Sequence, residues 1–198
     1  MMNSGIKKLF NAVLSMLILS HTVVADDKTT AENTLKSTLN AAVTVLQEED
    51  VDFQIKTNEI EEILSPLFDF SLMAKLTLGR KYWPKLNNRD KQRFTKLFSK
   101  LFKKSYLQKL IDYTDEKIVY ESPVQIKKKV QIPTYLTSKD KKISILYKLY
   151  ESQNDWKIYD VEIQGVSIIR SYRSQFVPIL QNGTIEDLMQ KLEKSNNN

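Results

Sequence analysis

Apolar residues recur with helical spacing through the first half of the chain. Positions 35–46 predict one amphipathic helix, and positions 60–64 predict a second, shorter one. Ser65 followed by Pro66 is a helix-start signal, so a third helix is expected from there to Gly79. The first part of the chain therefore predicts a set of helices that bury one face each.

A longer helix is predicted from a polar bend at Asn87 and Asn88 to about Tyr113. Two neighbouring rows of apolar residues make its buried face unusually wide. The rows consist of Phe94, Phe98, Phe102, Tyr106, Leu110 and Tyr113, and of Leu97 and Leu101. Such a helix needs a large apolar partner.

From about residue 116 the spacing of apolar residues changes from that of a helix to strict alternation, which indicates β-strands. Four strands are predicted, at about 117–121, 128–136, 142–151 and 156–163. The short connections between them favour an antiparallel sheet. Because one face is apolar and the other is lysine-rich in places, we expect one covered and one solvated side.

Helical spacing returns after the predicted sheet. Ser167 can cap a helix in which Pro178 should kink or shorten the last turn. Thr184 and Asp187 resemble a capping box at the start of a final helix. We expect the tail at 195–198 to be disordered.

These elements predict an α+β fold in which an antiparallel twisted sheet of about four strands packs against several helices. We expect one domain over residues 26–198. Its parts would be a helical lobe at about 30–113, the sheet at about 116–164 and C-terminal helices at about 167–194.

Residues 1–25 have the layout of a secretory signal peptide. Two lysines at 7–8 precede an apolar stretch at 9–19, which is about half the length that a membrane-spanning helix needs. The small residues Val23 and Ala25 place cleavage before Asp26. The sequence therefore predicts export to the periplasm.

The composition removes most catalytic chemistries from the exported chain. It has no cysteine, and the one histidine, His21, lies in the predicted signal. Serine–histidine and cysteine–histidine catalysis and the usual zinc sites are thereby excluded. The three glycines outside the predicted signal supply no nucleotide-binding loop. A carboxylate-dependent hydrolase stays open, with candidates Glu59, Glu61, Glu62, Asp69 and Asp160. The net charge of +6 falls to +4 when the two lysines of the predicted signal are removed; this is mildly basic, but export argues against nucleic acid as a partner.

Aromatic residues are numerous, with nine tyrosines, eight phenylalanines and two tryptophans. The ordinary explanation is a well-filled core. A wide apolar helix that faces a one-sided sheet can also enclose a cavity, and apolar cavities with few polar groups hold small ligands. The ligand would then be hydrophobic.

Three segments carry a likeness to a known family: FDFSLMAKLTLGRKYW at 68–83, LFSKLFKKSYLQKLIDY at 97–113 and WKIYDVEIQGVSIIRSYRSQF at 156–176. Together they resemble the MlaC family of periplasmic phospholipid-binding proteins, which belongs to the toluene-tolerance and outer-membrane lipid-asymmetry system. The third segment is the most specific. The resemblance covers nearly all of residues 26–198.

The resemblance implies a pocket for phospholipid acyl chains, with the headgroup towards solvent. It also implies a carrier that moves phospholipid between an outer-membrane lipoprotein–porin complex and an inner-membrane ABC transporter with an MCE-domain subunit, which would maintain outer-membrane lipid asymmetry. We expect no enzymatic step, no cofactor, no metal site and a monomeric protein. The alternatives are the hydrolase above and an interaction module with only a solid core.

We predict that the pocket is lined by apolar and aromatic residues of the long helix, the sheet and the helix after Ser167. The predicted lining residues are Phe98, Tyr106, Val130, Ile132, Ile145, Tyr147, Val161, Val166, Ile169, Tyr172 and Phe176. For each, the alternative is ordinary core packing. Arg170 and Arg173 are candidates for contact with a lipid headgroup or a partner.

Overall fold

The computed structural model describes residues 26–107, 117–138 and 141–197. The predicted signal peptide and the predicted end of the long helix, at 108–113, lie outside these residues. The helices of the first half are α1 (Asp27–Leu46), α2 (Phe53–Leu64), a 3₁₀ turn (Ser65–Leu67), α3 (Phe70–Tyr82), a second 3₁₀ turn (Trp83–Lys85), α4 (Asn88–Phe102) and a π-helical segment (Lys103–Leu107).

The described residues from 117 onwards form six strands and two helices. They are β1 (Lys117–Tyr120), β2 (Val124–Ile126), β3 (Lys129–Ser138), β4 (Lys141–Ser152), β5 (Asp155–Ile163), β6 (Val166–Ser167), α5 (Ile168–Asn182) and α6 (Ile185–Asn197). All strand pairs within the sheet are antiparallel, in the order β1-β3-β4-β5-β6, and β2 pairs with β3 next to β1. The predicted α+β class and antiparallel sheet are confirmed. The strands β2 and β6 were not predicted, because three and two residues are too few to show an alternation.

The pairing register gives the sheet an inner and an outer face. Ile132 lies opposite Tyr147, and Tyr147 lies opposite Val161, so these three share the inner face. Residues of this face in β3 to β5 are mostly buried, whereas Lys148 and Glu162 pair with each other on the outer face. Helix α1 packs against β2, β3 and β5. The apolar alternation in the sequence therefore places one side of the sheet in the core.

Helix α3 begins later than the sequence suggests. Pro66 starts only a 3₁₀ turn, because Phe68 then adopts an extended conformation and forms an isolated bridge with Ile158 of β5. The next residue, Asp69, is the N-cap of α3, and its carboxylate accepts a hydrogen bond of 2.8 Å from the amide of Leu72. A tertiary contact with the sheet thus overrides the local start signal.

The two C-terminal helices confirm the predicted caps and correct the predicted tail. Ser167 accepts a hydrogen bond from the amide of Arg170 at 3.1 Å, and the amide of Asp187 donates to the hydroxyl of Thr184 at 3.2 Å. Pro178 lies inside α5 without ending it. Residues 195–197 are helical and not disordered, because Asn196 is buried and donates to the carbonyl of Leu97 on α4 at 3.1 Å.

Asp160 connects the sheet to the start of α5. It is 7% exposed and accepts hydrogen bonds from the Ser167 hydroxyl at 2.8 Å and from the Ile169 amide at 3.2 Å. Lys148 lies 3.3 Å away. Burial lowers the pKa of Lys148, but its hydrogen bond to Glu162 and the charge of Asp160 outweigh that effect and raise the pKa overall. This network fixes the direction in which α5 leaves the sheet.

No helix in the described part of the chain is long and apolar enough to cross a membrane.

We expect Asp160→Ala to lower the free energy of unfolding by about 2–3 kcal/mol, because it leaves a buried hydroxyl, an amide and Lys148 without this acceptor. Urea denaturation measures the change. The control is Asp155→Ala, which removes an exposed ion pair with Lys157 and should change stability by less than about 0.5 kcal/mol. Equal effects of the two substitutions would contradict a structural role for the Asp160 network.

Candidate functional site

The inner face of the sheet carries five of the predicted lining residues as one apolar patch. Val130 and Ile132 lie on β3, Ile145 and Tyr147 on β4, and Val161 on β5. Each is at most 7% exposed. Because the register places them side by side, the structure brings these five residues together.

A second apolar surface is formed by an aromatic row, Phe94, Phe98 and Phe102, along α4. The four-residue spacing places the three rings on one side of the helix, and all three are almost completely buried. The row packs against α5, where the ring of Tyr172 lies 5.3 Å from Phe98 and the ring of Phe176 lies 6.0 Å from Phe94, both edge to face. Such edge-to-face pairs add stability beyond the buried area.

Phe68 connects the aromatic row to the sheet. Its backbone pairs with Ile158 of β5, and its ring lies 5.1 Å from the ring of Phe102. Ile158 is opposite Leu149 on the inner face. The inner face and the aromatic row therefore belong to one continuous apolar interior.

A cleft of about 530 Å³ opens at the end of the aromatic row, between the π-helical segment, α5 and α6. Its lining consists of Leu101, Ser105, Tyr106, Tyr172, Gln175, Phe176, Ile179, Leu188, Lys191, Leu192 and Ser195. Three of these, Tyr106, Tyr172 and Phe176, were predicted from the sequence. The volume lies within the range of small-molecule sites.

The polar groups that line the cleft include the hydroxyls of Tyr106 and Tyr172. Burial raises the pKa of Tyr172 to about 12, although a hydrogen bond with Ser105 lowers it in part. Burial also raises the pKa of Tyr106, whose ring lies 6.2 Å from that of Tyr172. Both phenols are therefore neutral near pH 7, and they offer hydrogen bonds to a ligand without adding charge.

The inner face of the sheet also contains phenols. Tyr120 of β1 is opposite Thr134, and its hydroxyl is buried without a hydrogen-bond partner among residues 26–107, 117–138 and 141–197. Burial raises the pKa of Tyr120 to about 12. Burial raises the pKa of Tyr147 further, and the nearby phenol of Tyr120 adds to the effect. The interior is therefore apolar with a few neutral hydroxyls.

The remaining two predicted lining residues lie in different environments. Ile169 is 5% exposed and belongs to the core beside the sheet. Val166 is 59% exposed, because it lies on the short edge strand β6. The structure does not bring Val166 together with the others.

Both candidate arginines have partners within the chain. Arg170 lies 3.0 Å from a carboxylate oxygen of Glu162. Arg173 donates from Nε to the carbonyl of Leu76 at 3.0 Å. That carbonyl is near the interruption of α3 at Gly79, where φ is 67° and ψ is −171°. Arg173 thus hydrogen-bonds a carbonyl at the point where α3 is broken.

Sequence reasoning missed most of the cleft. Leu101, Leu188 and Leu192 had a visible signal, because they follow the helical spacing of α4 and α6. Ser105, Gln175 and Lys191 had none, since polar residues on a helix are ordinarily solvated.

The carboxylates that were candidates for catalysis have structural contacts. Asp69 caps α3 and accepts a hydrogen bond from the hydroxyl of Tyr150. Asp160 is engaged with Ser167, and Glu61 forms an ion pair with Lys103 at 2.9 Å. Three of the five candidate carboxylates therefore have contacts that account for them as structural residues.

Comparison with known proteins places these features in a family. A family model described as "MlaC protein" matches residues 36–194. The intermembrane phospholipid transport system binding protein MlaC of Haemophilus influenzae is 25% identical over 138 residues, which cover 67% of this chain and 64% of that protein. The toluene tolerance protein ttg2D of Pseudomonas putida is 23% identical over 124 residues, which cover 62% and 58%. The chain thus spans less than two thirds of the length of the curated relatives it matches.

A solved structure shares the fold. It is the phospholipid-binding protein from Ralstonia solanacearum in complex with a phospholipid, with a TM-score of 0.75 and 21% identity. The match covers 84% of this chain and 96% of that chain.

We expect Tyr172→Phe to reduce the alkaline loss of stability. The folded protein holds the phenol proton more tightly than the unfolded chain, so the stability that this proton provides is complete below about pH 10 and is lost as the pH rises towards about 12. Urea denaturation at about pH 7 and about pH 11 measures the loss in the wild type and in the variant.

The control for this measurement is Ile179→Val, which changes a cleft residue that does not titrate and should keep the wild-type pH dependence. Equal alkaline losses in wild type and Tyr172→Phe would show that burial of this phenol does not oppose its ionisation.

Proposed function

The chain belongs to the MlaC family, as the match over residues 36–194 shows, and we propose on this premise that it is a periplasmic protein that binds phospholipid and carries it between membranes. The observation that carries the proposal is the continuous apolar interior between the inner face of the sheet and the aromatic row. The fold supports this proposal, because it is shared with a protein whose structure was solved in complex with a phospholipid.

The energetics explain why such a carrier needs an apolar interior. Burial contributes about 0.8 kcal/mol for each methylene, so an acyl chain of roughly 16 carbons costs on the order of 12 kcal/mol to expose to water. An interior that offers apolar surroundings removes most of this cost. Transfer between a membrane and the protein then becomes nearly neutral, and no cofactor or catalytic step is needed.

We place the acyl chains between the inner face and the aromatic row. The lining would consist of the buried predicted residues of the sheet, α4 and α5, and the cleft beside Tyr106 and Tyr172 would connect this interior to solvent. The neutral hydroxyls suit this position, because they can bond to ester oxygens or water without placing a charge in an apolar space. We do not include Val166, since its side chain lies towards solvent.

Arg170 and Arg173 differ in how available their side chains are for contact with a lipid headgroup. Arg170 has a side chain that is 70% exposed, and its single surface ion pair contributes little and is easily exchanged. Arg173 is held by the carbonyl of Leu76. We therefore assign contact with a lipid phosphate or a partner to Arg170 first.

The family relationship supports the wider role. The chain would be exported through the signal peptide at 1–25 and would exchange lipid with an inner-membrane ABC transporter that has an MCE-domain subunit and with an outer-membrane lipoprotein–porin complex. The curated relative from Haemophilus influenzae is named as the binding protein of an intermembrane phospholipid transport system, which agrees with such a role. The assigned structural contacts of Asp69 and Asp160 leave the hydrolase alternative without a specific observation in its favour.

We expect the protein purified from a bacterial periplasm without detergent to retain phospholipid. Native mass spectrometry should show a complex that is heavier than the chain by the mass of one or more lipids, and solvent extraction should identify them as phospholipid. A stable protein that is free of lipid under these conditions would contradict the carrier function.

We expect Val161→Phe to reduce the retained phospholipid at least about tenfold, because the larger ring occupies space on the inner face that the acyl chains need. The same mass spectrometry measures the retained lipid, and urea denaturation checks that unfolding stays cooperative. The matched control is Leu146→Phe, on the outer face of the adjacent strand, which should retain wild-type lipid. Unchanged lipid in Val161→Phe would place the acyl chains elsewhere.

A further inference from the structure

A second surface, separate from the lipid interior, lies around Trp83. Two grooves of about 610 Å³ and about 630 Å³ meet at this residue, which lines both of them. The first runs between α3 and α5, and the second runs along α4. Together they contain five basic residues, which we call the basic strip: Lys75, Arg80, Lys91, Lys96 and Arg173.

The charges of the basic strip are not neutralised. Neither groove has an aspartate or a glutamate among its lining residues. Within the described ranges, none of the five basic residues forms an ion pair with an acidic residue within 4.0 Å. Arg93, which lies outside the strip on α4, forms an ion pair with Glu186 at 2.6 Å. Concave surfaces lined by one sign of charge concentrate the electrostatic potential and attract groups of opposite charge.

The shape of the strip is built by specific backbone features. Gly79 interrupts α3 with a positive φ, and a Cβ atom at this position would lie 3.6 Å from the guanidinium of Arg173. The 3₁₀ turn that follows places Trp83 and Pro84 on the surface, with Trp83 half-buried and the ammonium of Lys91 at 5.9 Å from its ring. A tryptophan surrounded by cations in a groove has the composition of a protein-binding hot spot.

We propose that the basic strip docks an acidic segment of a partner protein, with an apolar side chain of that segment against Trp83. Two concave grooves on either side of an aromatic residue can enclose a peptide segment, whereas a flat bilayer surface would not enter them. The five cations have no acidic partner among the described residues, so they provide charge complementarity for aspartate and glutamate. This inference does not rest on the proposed function, because no part of the lipid interior enters into it.

The two tryptophans of the chain allow a direct test. Trp83 lies in the basic strip, whereas Trp156 is 5% exposed in the core. The full mature chain, labelled with ¹⁵N, is titrated with a synthetic peptide of about twelve residues that repeats Glu-Glu-Leu, and with a matched peptide that repeats Gln-Gln-Leu. We expect the acidic peptide to shift the indole resonance of Trp83 and to leave that of Trp156 in place, and we expect the neutral peptide to shift neither.

Charge-reversal variants distinguish binding of the acidic peptide to the basic strip from a general attraction between the peptide and a positively charged protein. Lys75→Glu/Lys96→Glu changes one exposed lysine in each groove, and Lys128→Glu/Lys194→Glu changes two exposed lysines outside the strip by the same net charge. The acidic peptide should bind the first variant at least about tenfold more weakly than the wild type, and the second less than about twofold more weakly. Equal losses in both variants would overturn the proposal, because the attraction would then depend on net charge alone.

Vesicles of phosphatidylglycerol test the alternative that the basic strip binds an anionic membrane surface. If the vesicles shift the Trp83 resonance and the acidic peptide does not, the strip binds membranes and the proposal is wrong. The Trp156 resonance confirms that each variant is folded. The phospholipid retained by Lys75→Glu/Lys96→Glu is measured separately, so loss of docking and loss of lipid binding are distinguished.

Discussion

The packing of the aromatic row of α4 against α5 is the contact on which the rest of the structure depends. Phe98 is buried between its own row and Tyr172, and Phe102 continues the contact to Phe68. Through Phe68 the helices reach β5 and the inner face of the sheet. Loss of these rings would separate the helices from the sheet and would remove one wall of the interior at the same time.

The proposed carrier function requires a balance between the stability of the fold and the space left for a ligand. A completely filled core would be more stable, but it would leave no room for acyl chains. In this chain several polar contacts that fix the helices lie around the interior. The Asp160 network holds the start of α5, Asn196 fixes α6 to α4, and Arg173 holds α3. The interior itself is held by apolar and aromatic contacts, which can rearrange around a flexible ligand.

The cleft and the basic strip are two separate regions that differ in charge. The cleft beside Tyr106 and Tyr172 has one charged lining residue, Lys191, whereas the two grooves at Trp83 are lined by five basic residues and no acidic one. α5 contributes to both, since Tyr172 lies in the cleft and Arg173 lines the groove on the other side. The two proposed roles, lipid binding and partner docking, therefore share one helix.

The sequence by itself determined the longer helices and strands, their order and which of their faces are apolar. The alternation in β3 to β5 and the four-residue spacing of Phe94 and Phe98 specify which side chains are buried, because burial follows directly from these local periods. The helix caps at Ser167 and Thr184 could also be predicted from the sequence, since a cap depends on neighbouring residues alone. The family likeness, carried by three short segments, was visible for the same reason.

Only the tertiary structure decided how distant segments meet. The later start of α3 depends on the bridge between Phe68 and Ile158, and the helical tail depends on the contact of Asn196 with α4. The contact of Arg173 with the interrupted helix likewise joins residues 97 positions apart. No local period encodes these contacts, because each is a hydrogen bond between backbone groups or side chains that come together only when the sheet and the helices pack.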